Sequence, residues 1–367
     1  MAQVELRTIT KKYGKVTALD QVSFVIPDGK LFVLLGASGA GKSTTIGVIS
    51  GIVTHDSGGI FLDGRDISQA FPQNRDIATA FESYSLYPHF TVFQNLLFPL
   101  ESPERKKQML KPDREKRVKE VADMLGLGEL LKRYPRELSG GQKQRVALGR
   151  TLVRRPKAYM LDEPIAHLDA KLRHHMRSEL KKIQTELGIT TLYATPDQLE
   201  ALSMGDIVAV LNKGVVEQIG MPDEIYYNPV NLFVASFVGD PPMNLFSVDY
   251  QGDHVIVECD TPYSIPILPE DQKMLTEKMG DCRLKVGVRP VNIQLTASDD
   301  PKAHTQGEVI LIDTLGQTSI VTVRLKSEEI KAKIPSDHLP KLHSTVGLQF
   351  DSQRFYYFDA ATTRSIC

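Results

Sequence analysis

The residues best suited to chemistry lie in one stretch, Leu31–Thr45, which reads LFVLLGASGAGKSTT. The apolar run Leu31–Leu35 predicts a buried strand, the glycine-rich segment Gly36–Gly41 predicts a loop, and a helix is expected from Lys42. This is the pattern G-x-x-x-x-G-K-[ST] between a strand and a helix. Glycines let backbone N–H groups converge on a polyphosphate, and a helix N-terminus adds favourable partial charge. The stretch therefore predicts a phosphate-binding loop rather than a chance glycine turn.

Each side chain of this loop has an expected task. Lys42 is placed to reach the β- and γ-phosphates of a nucleotide, and the Ser43 hydroxyl is placed to ligate Mg²⁺. A polyphosphate with Mg²⁺ is thus the expected ligand, and the family resemblance set out at the end of this subsection implies that it is ATP. The residues predicted to contact it here are Gly36, Ala37, Ser38, Gly39, Ala40, Gly41, Lys42, Ser43 and Thr44.

A second anion-binding helix start is predicted from Ser139, Gly140, Gly141 and Gln142, which precede a helix expected over Gln142–Arg154. The serine hydroxyl and the exposed backbone donors suit a phosphate group. An ordinary helix cap followed by flexible glycines is the alternative.

Two carboxylates follow the predicted strand Ala158–Leu161. Ligands of open α/β sheets bind at the carboxyl ends of the strands, where Asp162 and Glu163 would stand. Asp162 is expected to hold Mg²⁺, and Glu163 to polarise the attacking water as the catalytic residue. An unremarkable loop start is the alternative for this pair.

Composition limits the remaining possibilities. At 367 residues the chain is expected to hold two or three domains. A net charge of −1 argues against a dedicated nucleic-acid binder, because no basic excess is available to neutralise phosphates. No apolar run approaches the roughly 20 residues that span a bilayer, so any membrane role is expected to act through a partner.

The spacing of apolar residues changes near Gly239. Before this residue apolar side chains recur at helical spacing, and after it the chain has short apolar runs typical of strands, separated by turns. These runs include Leu284–Val288 and Ile320–Leu325. Such spacing predicts a small all-β barrel of OB-like type. The expected fold is therefore an α/β P-loop nucleotide-binding domain, residues 1–237, followed by a C-terminal all-β OB-like domain, residues 238–367, with a structural or regulatory role.

By this point the residues resemble one family, the ATP-binding cassette ATPases. The phosphate loop, Leu138–Gln142 (LSGGQ) and Leu161–Pro164 (LDEP) match that family in order and spacing over about Val4–Phe237, and Asp169 falls at its D-loop. The tail resembles the C-terminal domain of carbohydrate-import ATPases of the maltose and glycerol-phosphate type, with Val288–Pro290 fitting a recurring motif there.

The resemblance implies a peripheral subunit at the cytoplasmic face of the inner membrane, bound to two permease subunits and served indirectly by a solute-binding protein. Such subunits pair head to tail, so Ser139, Gly140, Gly141, Gln142 and Asp169 would act on the ATP held by the partner chain. Tyr13 would stack on adenine, although a tyrosine ahead of a nucleotide site can also be simple packing. The segment Ser83–Val92 would receive the permease.

Two departures from the family pattern affect the expected chemistry. Glu82 stands where the family has glutamine; its carboxylate can still ligate Mg²⁺ but adds negative charge near the γ-phosphate. Pro196 stands where the family has a histidine that donates to the γ-phosphate, and proline offers no donor at all. Loss of one preorganised donor costs roughly 3 kcal/mol of transition-state stabilisation. Ala166 also replaces a D-loop serine.

These departures lead to the hypothesis that the two ATP sites of the dimer differ in their rates of hydrolysis. The site on this chain's own phosphate loop would bind ATP and hydrolyse it slowly, while its LSGGQ element completes the site of a second, different ATPase. An ordinary homodimer in which Glu163 suffices is the alternative, and a regulatory or interaction protein with little hydrolysis is another. The expected cargo is a sugar, a polyol or a glycerol-type solute.

Overall fold

The protein is described here by a computed structural model covering residues 2–81, 83, 85–278, 283–326 and 328–366. By its internal contacts the chain divides into two compact units, residues 1–223 and 224–367. The functional boundary between residues 237 and 238 stays a prediction. No helix within the described residues is long and apolar enough to cross a membrane.

The first unit combines two sheets with several helices. Its strands are β1 (Val4–Tyr13), β2 (Val16–Ile26), β3 (Leu31–Leu35), β4 (Ser57–Leu62), β5 (Arg65–Asp66), β6 (Ile77–Ala80), β7 (Ala158–Asp162), β8 (Thr190–Thr195), β9 (Ile207–Asn212) and β10 (Val215–Gly220). Its helices are α1 (Lys42–Ser50), α2 (Val92–Leu97), α3 (Pro103–Gln108), α4 (Lys111–Met124), α5 (Gly140–Leu152), α6 (Ala170–Leu187) and α7 (Gln198–Met204).

The central sheet of this unit positions the chemistry. Its strand order is β10-β9-β3-β8-β7-β6, and all neighbours are parallel except the pair β9 and β10. Strands β3, β7 and β8 are buried along their whole length, as expected for parallel strands covered on both faces. Since carboxyl ends of parallel strands meet at one edge, the segments after these three strands come together.

The second sheet of the unit is antiparallel, with the order β2-β1-β4-β5. Its apolar face and the central sheet share one hydrophobic core, to which Leu6, Phe24, Phe32, Ile46 and Ile60 contribute. Rings Phe24 and Phe32 stack with centroids 4.9 Å apart. This core anchors the strand before the phosphate loop and the helix after it.

The charged segment Glu101–Lys119 forms α3 and most of α4. Only the outer face of α4 is solvated. Arg114, Val118, Val121 and Ala122 are buried, because an amphipathic helix places one stripe against the protein.

The second unit is built mainly from two antiparallel sheets. Helix α8 (Pro222–Tyr227) begins two residues before this unit, and α9 (Leu232–Phe237) and α10 (Pro269–Lys278) lie within it. The strands are β11 (Asn244–Tyr250), β12 (His254–Val257), β13 (Tyr263–Pro266), β14 (Leu284–Val288), β15 (Ile293–Thr296), β16 (Thr305–Leu315), β17 (Thr318–Leu325), β18 (Glu328–Pro335), β19 (Thr345–Phe350) and β20 (Phe355–Asp359).

The two sheets of this unit have the orders β13-β12-β11-β14-β20 and β15-β19-β16-β17-β18. Both contribute to a single core, in which Phe246, Ile265 and Val286 meet Val321 and Phe350. This arrangement confirms the predicted all-β, OB-like tail.

Candidate functional site

The phosphate loop joins β3 to α1 in a conformation that requires glycine at two positions. Gly41 has φ +109°, and a Cβ there would lie 2.6 Å from the carbonyl oxygen of Ala18. At Gly36 an added Cβ would lie 2.5 Å from the carbonyl oxygen of Leu211. Any larger residue would have to displace backbone, so the loop shape depends directly on these glycines.

Lys42 is buried at the start of α1, with 4% of its surface exposed. Its ammonium donates to the carbonyl oxygens of Gly36 at 2.9 Å and Ala37 at 3.1 Å. The same Nζ lies 3.4 Å from Oε1 of Glu163. The predicted phosphate-binding cation and the predicted catalytic carboxylate are therefore in direct contact.

A cavity of about 470 Å³ opens over the loop. It is lined by residues expected from the sequence, namely Ser38, Gly39, Gly41, Lys42, Ser43, Thr44 and Glu163. It is also lined by residues that sequence reasoning missed, namely Val16, Thr17, Ala18 and Lys213. Lys213 occupies the turn between β9 and β10, where its sequence context signals only a hairpin. Its position here follows from the pairing of β9 with β3.

The carboxylates after β7 sit at the shared edge of the sheet. Asp162 is the last residue of β7 and is 2% exposed. Glu163 has φ +46°, which is uncommon for a residue with a side chain. Its N–H donates to the carbonyl oxygen of Ala194 at 2.9 Å. That bond to β8 holds the strained residue so that its side chain reaches Lys42.

Gln144 on α5 is a further residue of this site that the sequence did not reveal. Its side chain is 3% exposed, and its Nε2 donates to the backbone carbonyl of Glu163 at 3.1 Å. Its Oε1 accepts from the N–H of His167 at 3.0 Å. The helix that follows Ser139 is thereby tied to the loop that carries Glu163.

The start of α5 is a capping box. The Ser139 hydroxyl accepts from the N–H of Gln142 at 3.3 Å, and Gln142 Oε1 accepts from the N–H of Ser139 at 2.9 Å. Ser139, Gly140, Gly141 and Gln142 are not among the described residues that line the phosphate cavity. The cap geometry predicted from the sequence is present, whereas the predicted action on a partner's nucleotide stays a prediction.

Of three other predicted residues, the structure describes Tyr13 and Asp169. Tyr13, at the end of β1, is 50% exposed and does not line the cavity among the residues described; Lys11 Nζ lies 5.2 Å from its ring centroid. Asp169 caps α6 by accepting from the N–H of Leu172 at 2.9 Å. Glu82 lies outside the described residues.

Pro196 follows β8 directly and is exposed. The carbonyl oxygen of its neighbour Thr195 accepts from the N–H of Gly36 at 3.3 Å, which places this turn beside the phosphate loop. The Thr195 hydroxyl donates to Oε2 of Glu200 at 2.7 Å, and Tyr193 donates to the same oxygen at 2.9 Å. Burial raises the pKa of Glu200. The turn is thus held by several hydrogen bonds, and Pro196 itself is not among the described residues that line the phosphate cavity.

A second surface of interest surrounds residues 85–98. Tyr87, Phe90 and Phe98 pack ring against ring, with centroids 4.6 to 5.8 Å apart. Arg150 lies over the Tyr87 ring at 4.6 Å. A groove of about 310 Å³ adjoins this aromatic cluster and is lined in part by Tyr87, Phe98 and Arg150. The groove sits where the sequence predicts a contact surface.

Few side chains at the cavity could ligate a metal ion. No cluster of three or more His, Cys, Asp or Glu side chains occurs within the described part of the chain. Mg²⁺ usually takes only one or two protein ligands and completes its shell with substrate phosphates and water. The Ser43 hydroxyl at the cavity and the Asp162 carboxylate at the end of β7 fit that requirement.

The parallel sheet, the glycine loop and the Lys42–Glu163 contact define a P-loop nucleotide-binding protein. The sequence profile of the ABC transporter family matches residues 19–166, and that of the TOBE domain matches residues 286–358.

Similar proteins extend the match to the whole chain. The trehalose/maltose import ATP-binding protein of Thermococcus litoralis is 40% identical and aligns over 100% of both chains. An sn-glycerol-3-phosphate import ATP-binding protein of Rhizobium etli is 38% identical over 99% of this chain and 98% of its own. The chain belongs to the ABC transporter family and is a transporter ATPase, which confirms the resemblance described above.

A solved structure shares the fold of the first unit. A dimeric ATP-binding cassette in a post-hydrolysis state with ADP and Pi is 30% identical, with a TM-score of 0.55. The similarity covers 60% of this chain and 98% of that one.

Proposed function

We propose that this chain hydrolyses ATP to power import of a sugar, a polyol or a glycerol-type solute, at the cytoplasmic face of the inner membrane. The observation that carries the proposal is the Lys42–Glu163 contact inside the phosphate cavity. Relatives named for trehalose/maltose and for sn-glycerol-3-phosphate import support the class of solute. Their variety is consistent with selection of the cargo by the permease rather than by this chain.

The roles of the site residues follow from their positions. Lys42 binds the β- and γ-phosphates, while loop N–H groups and the start of α1 stabilise the remaining negative charge. Glu163 orients the attacking water and accepts its proton. Ser43 and Asp162 would hold Mg²⁺, which neutralises charge on the phosphate oxygens when bound. Tyr13, exposed at the end of β1, would stack on the adenine ring.

Dimerisation completes the site in this proposal. Ser139 through Gln142 present a helix start with exposed backbone donors, and they lie outside this chain's own phosphate cavity among the residues described. That placement suits a group that meets the γ-phosphate held by another protomer. Asp169 would lie at the same interface.

We further propose that hydrolysis at this chain's own phosphate loop is attenuated. Pro196 stands beside the loop on a turn fixed by the Gly36–Thr195 hydrogen bond, and it contributes neither a side-chain donor nor an N–H. One missing donor to the transition state lowers turnover about 10²- to 10³-fold. Glu82, if it neighbours the γ-phosphate, adds to the effect through its charge.

An attenuated site favours pairing with a second, different ATPase that holds the stronger site. In that heterodimer, this chain supplies Ser139 to the partner's nucleotide. The competing candidate is a regulatory protein in which ATP controls association only. The groove beside the Tyr87–Phe90–Phe98 cluster favours transport, because its paired aromatic and arginine side chains suit a permease segment.

Purification of the tagged full chain from native membranes tests the proposal. We expect two permease subunits and a second ATPase to copurify, and we expect the purified chain alone to bind ATP with low turnover. Lys42→Ala should abolish both ATP binding and solute uptake. Uptake that survives Lys42→Ala would contradict the transport function. Near-normal turnover of the isolated homodimer would contradict only the attenuated hydrolysis and not the transport function.

A further inference from the structure

The cavity over the phosphate loop contains one lysine that has no role in the proposed hydrolysis. Lys213 lines that cavity together with Lys42 and Glu163, and these three are the charged side chains among its lining residues. Lys42 is held by two carbonyl oxygens and by the Glu163 carboxylate. The Lys213 side chain is exposed, and among the described residues its ammonium has no ion pair or hydrogen bond. Of the described lining residues, Lys213 therefore carries the positive charge that is free to meet an incoming anion.

The backbone holds Lys213 at the edge of this cavity. The residue follows β9 and lies in the tight turn to β10, with φ +45°. The N–H of the next residue, Gly214, donates to the carbonyl oxygen of Ala40 in the phosphate loop at 2.8 Å, and its carbonyl oxygen accepts from the N–H of Asp20 at 2.9 Å. A Cβ on Gly214 would lie 2.6 Å from the carbonyl oxygen of Ala18. The turn is thus packed between β2 and the phosphate loop, which fixes the point from which the lysine side chain extends.

The order of the strands places Lys213 and Glu163 on opposite sides of the phosphate loop. At the carboxyl edge of the central sheet the neighbouring strands are, in order, β9, β3, β8 and β7. Lys213 follows β9, the phosphate loop follows β3, and Glu163 follows β7. Neighbouring strands lie about 4.8 Å apart, so the three spacings between β9 and β7 separate these strands by about 14 Å. The cavity therefore has a Glu163 side and a Lys213 side.

The proposed function determines which end of the nucleotide lies on each side. Glu163 orients the water that attacks the γ-phosphate, and Lys42 binds the β- and γ-phosphates. The α-phosphate and the ribose then occupy the opposite side, whose lining includes Val16 and Lys213. Val16 is the cross-strand partner of Tyr13, the residue proposed to stack on adenine. The base and the lysine are therefore expected at the same side of the cavity, with the α-phosphate between the base and the terminal phosphates.

We propose that Lys213 is a nucleotide-binding residue that contacts the α-phosphate of ATP and of ADP. Its ammonium is a point charge with three donors on a flexible stem, which suits a phosphate oxygen. The contact is non-covalent and separate from the activation of water by Glu163, and it rests on the proposed function, which supplies the orientation of the nucleotide. Because ATP and ADP share the α-phosphate, Lys213 raises the affinity for both nucleotides and does not distinguish between them.

Isothermal titration calorimetry of the purified full chain at low ionic strength tests this contact. The probes are Mg-ADP and the slowly hydrolysed β,γ-imido analogue of ATP. We expect Lys213→Ala to weaken binding of both nucleotides by a similar factor of about 3- to 10-fold, the size expected of one charge-assisted hydrogen bond at an exposed side chain. The loss should shrink at about 0.5 M NaCl, because an exposed charge is screened by salt. Unchanged affinity for both nucleotides would overturn the proposal.

Lys30→Ala is the matched control. Lys30 is also an exposed lysine of the first unit, but it directly precedes β3 and so lies at the opposite edge of the central sheet from the phosphate loop. Its loss removes the same charge and should leave both affinities unchanged. An equal loss of affinity in Lys30→Ala and Lys213→Ala would reduce the effect to net charge and overturn the contact.

Two further variants separate the charge of Lys213 from the shape of its turn. Lys213→Arg keeps the charge and should keep most of the affinity. Lys213→Asn removes the charge with a residue that tolerates the positive φ of this turn, so it should bind as weakly as Lys213→Ala. If Lys213→Asn bound like wild type, the loss in Lys213→Ala would come from a disturbed turn, and the proposal would be wrong.

The two probes also test which phosphate Lys213 contacts. A loss confined to the imido analogue of ATP would place Lys213 at the γ-phosphate and overturn the assignment to the α-phosphate. Failure of this inference alone leaves nucleotide binding by wild type intact and sensitive to Lys42→Ala. Wild type that bound neither nucleotide would instead contradict the proposed function on which the inference rests.

Discussion

The side-chain amide of Gln144 makes two hydrogen bonds to the loop between β7 and α6: it donates to the carbonyl oxygen of Glu163 at 3.1 Å and accepts from the N–H of His167 at 3.0 Å. Gln144 lies on α5, the helix capped by Ser139. We therefore infer that a movement of that helix reaches the backbone of Glu163, the proposed catalytic residue, and that Gln144 is a positioning residue for it.

We expect Gln144→Ala to lower kcat about 10- to 100-fold with little change in KM for ATP, because Glu163 loses its orienting hydrogen bond. Steady-state ATPase kinetics measure this split. Gln184→Ala is the control, since Gln184 is also buried and donates to the carbonyl oxygens of Gly29 and Ile189. A similar loss of kcat in both variants would indicate a general structural defect instead.

Pro196→His should raise the turnover of the homodimer by about 10²-fold, because it restores one donor beside the phosphate loop. Pro196→Ala removes the ring without adding a side-chain donor and should give little gain. Single-turnover hydrolysis of radiolabelled ATP measures the effect. The gain must disappear when Glu163→Gln is added. If Pro196→Ala were as active as Pro196→His, the constraint that the proline ring places on the backbone, rather than the missing donor, would limit the rate of ATP hydrolysis.

Glu200 is the buried acceptor that orders the turn before Pro196. Glu200→Ala leaves the hydroxyls of Tyr193 and Thr195 without their acceptor and should cost ~1–3 kcal/mol of unfolding free energy. Glu200→Gln retains an acceptor oxygen and should be much milder. Urea unfolding of the two variants provides the comparison, and equal losses would show that the negative charge is essential.

The same carboxylate predicts a pH dependence. Burial raises the pKa of Glu200 above its ordinary value of 4.5. Around and above pH 4.5 the Glu200 carboxyl binds more protons in the folded protein than in the unfolded chain. The contribution of Glu200 to the free energy of unfolding therefore falls as pH rises through the folded pKa. We expect the free energy of unfolding of Glu200→Gln, measured relative to that of wild type, to increase from pH 4.5 upward. A difference between the two proteins that does not change with pH would contradict the raised pKa.

Asn95 organises the proposed permease surface. It is fully buried, accepts from the N–H of Tyr87 at 2.9 Å, and donates to the carbonyl oxygens of Tyr87, Phe90 and Thr91. Asn95→Ala should release residues 87–91, abolish uptake and leave ATP binding intact. Gln94→Ala removes a single exposed bond to Thr91 and should preserve uptake. Retained uptake with Asn95→Ala would argue against this surface.

Contiguous motifs made much of the site predictable. The strand before the phosphate loop, the glycines and Lys42 form one short stretch of sequence. Asp162 and Glu163 directly follow an apolar run that predicts a buried strand. Gln144 and Lys213 could not be found in this way, because their roles depend on contacts between segments distant in sequence. In the tail, β14 and β17 were visible as apolar runs, whereas β11, β13 and β18 emerge only through pairing with neighbours.

The surroundings of Lys42 have a consequence for exchange of nucleotide. Its ammonium already has three oxygen neighbours from its own chain, two carbonyls and the Glu163 carboxylate. A phosphate that binds this lysine would take the place of one of them. If that neighbour is Glu163, we expect its carboxylate to become free to contact water, as the proposed role of this residue as the base requires. On product release the Glu163 carboxylate would return to Lys42 and so compete with the product for the ammonium.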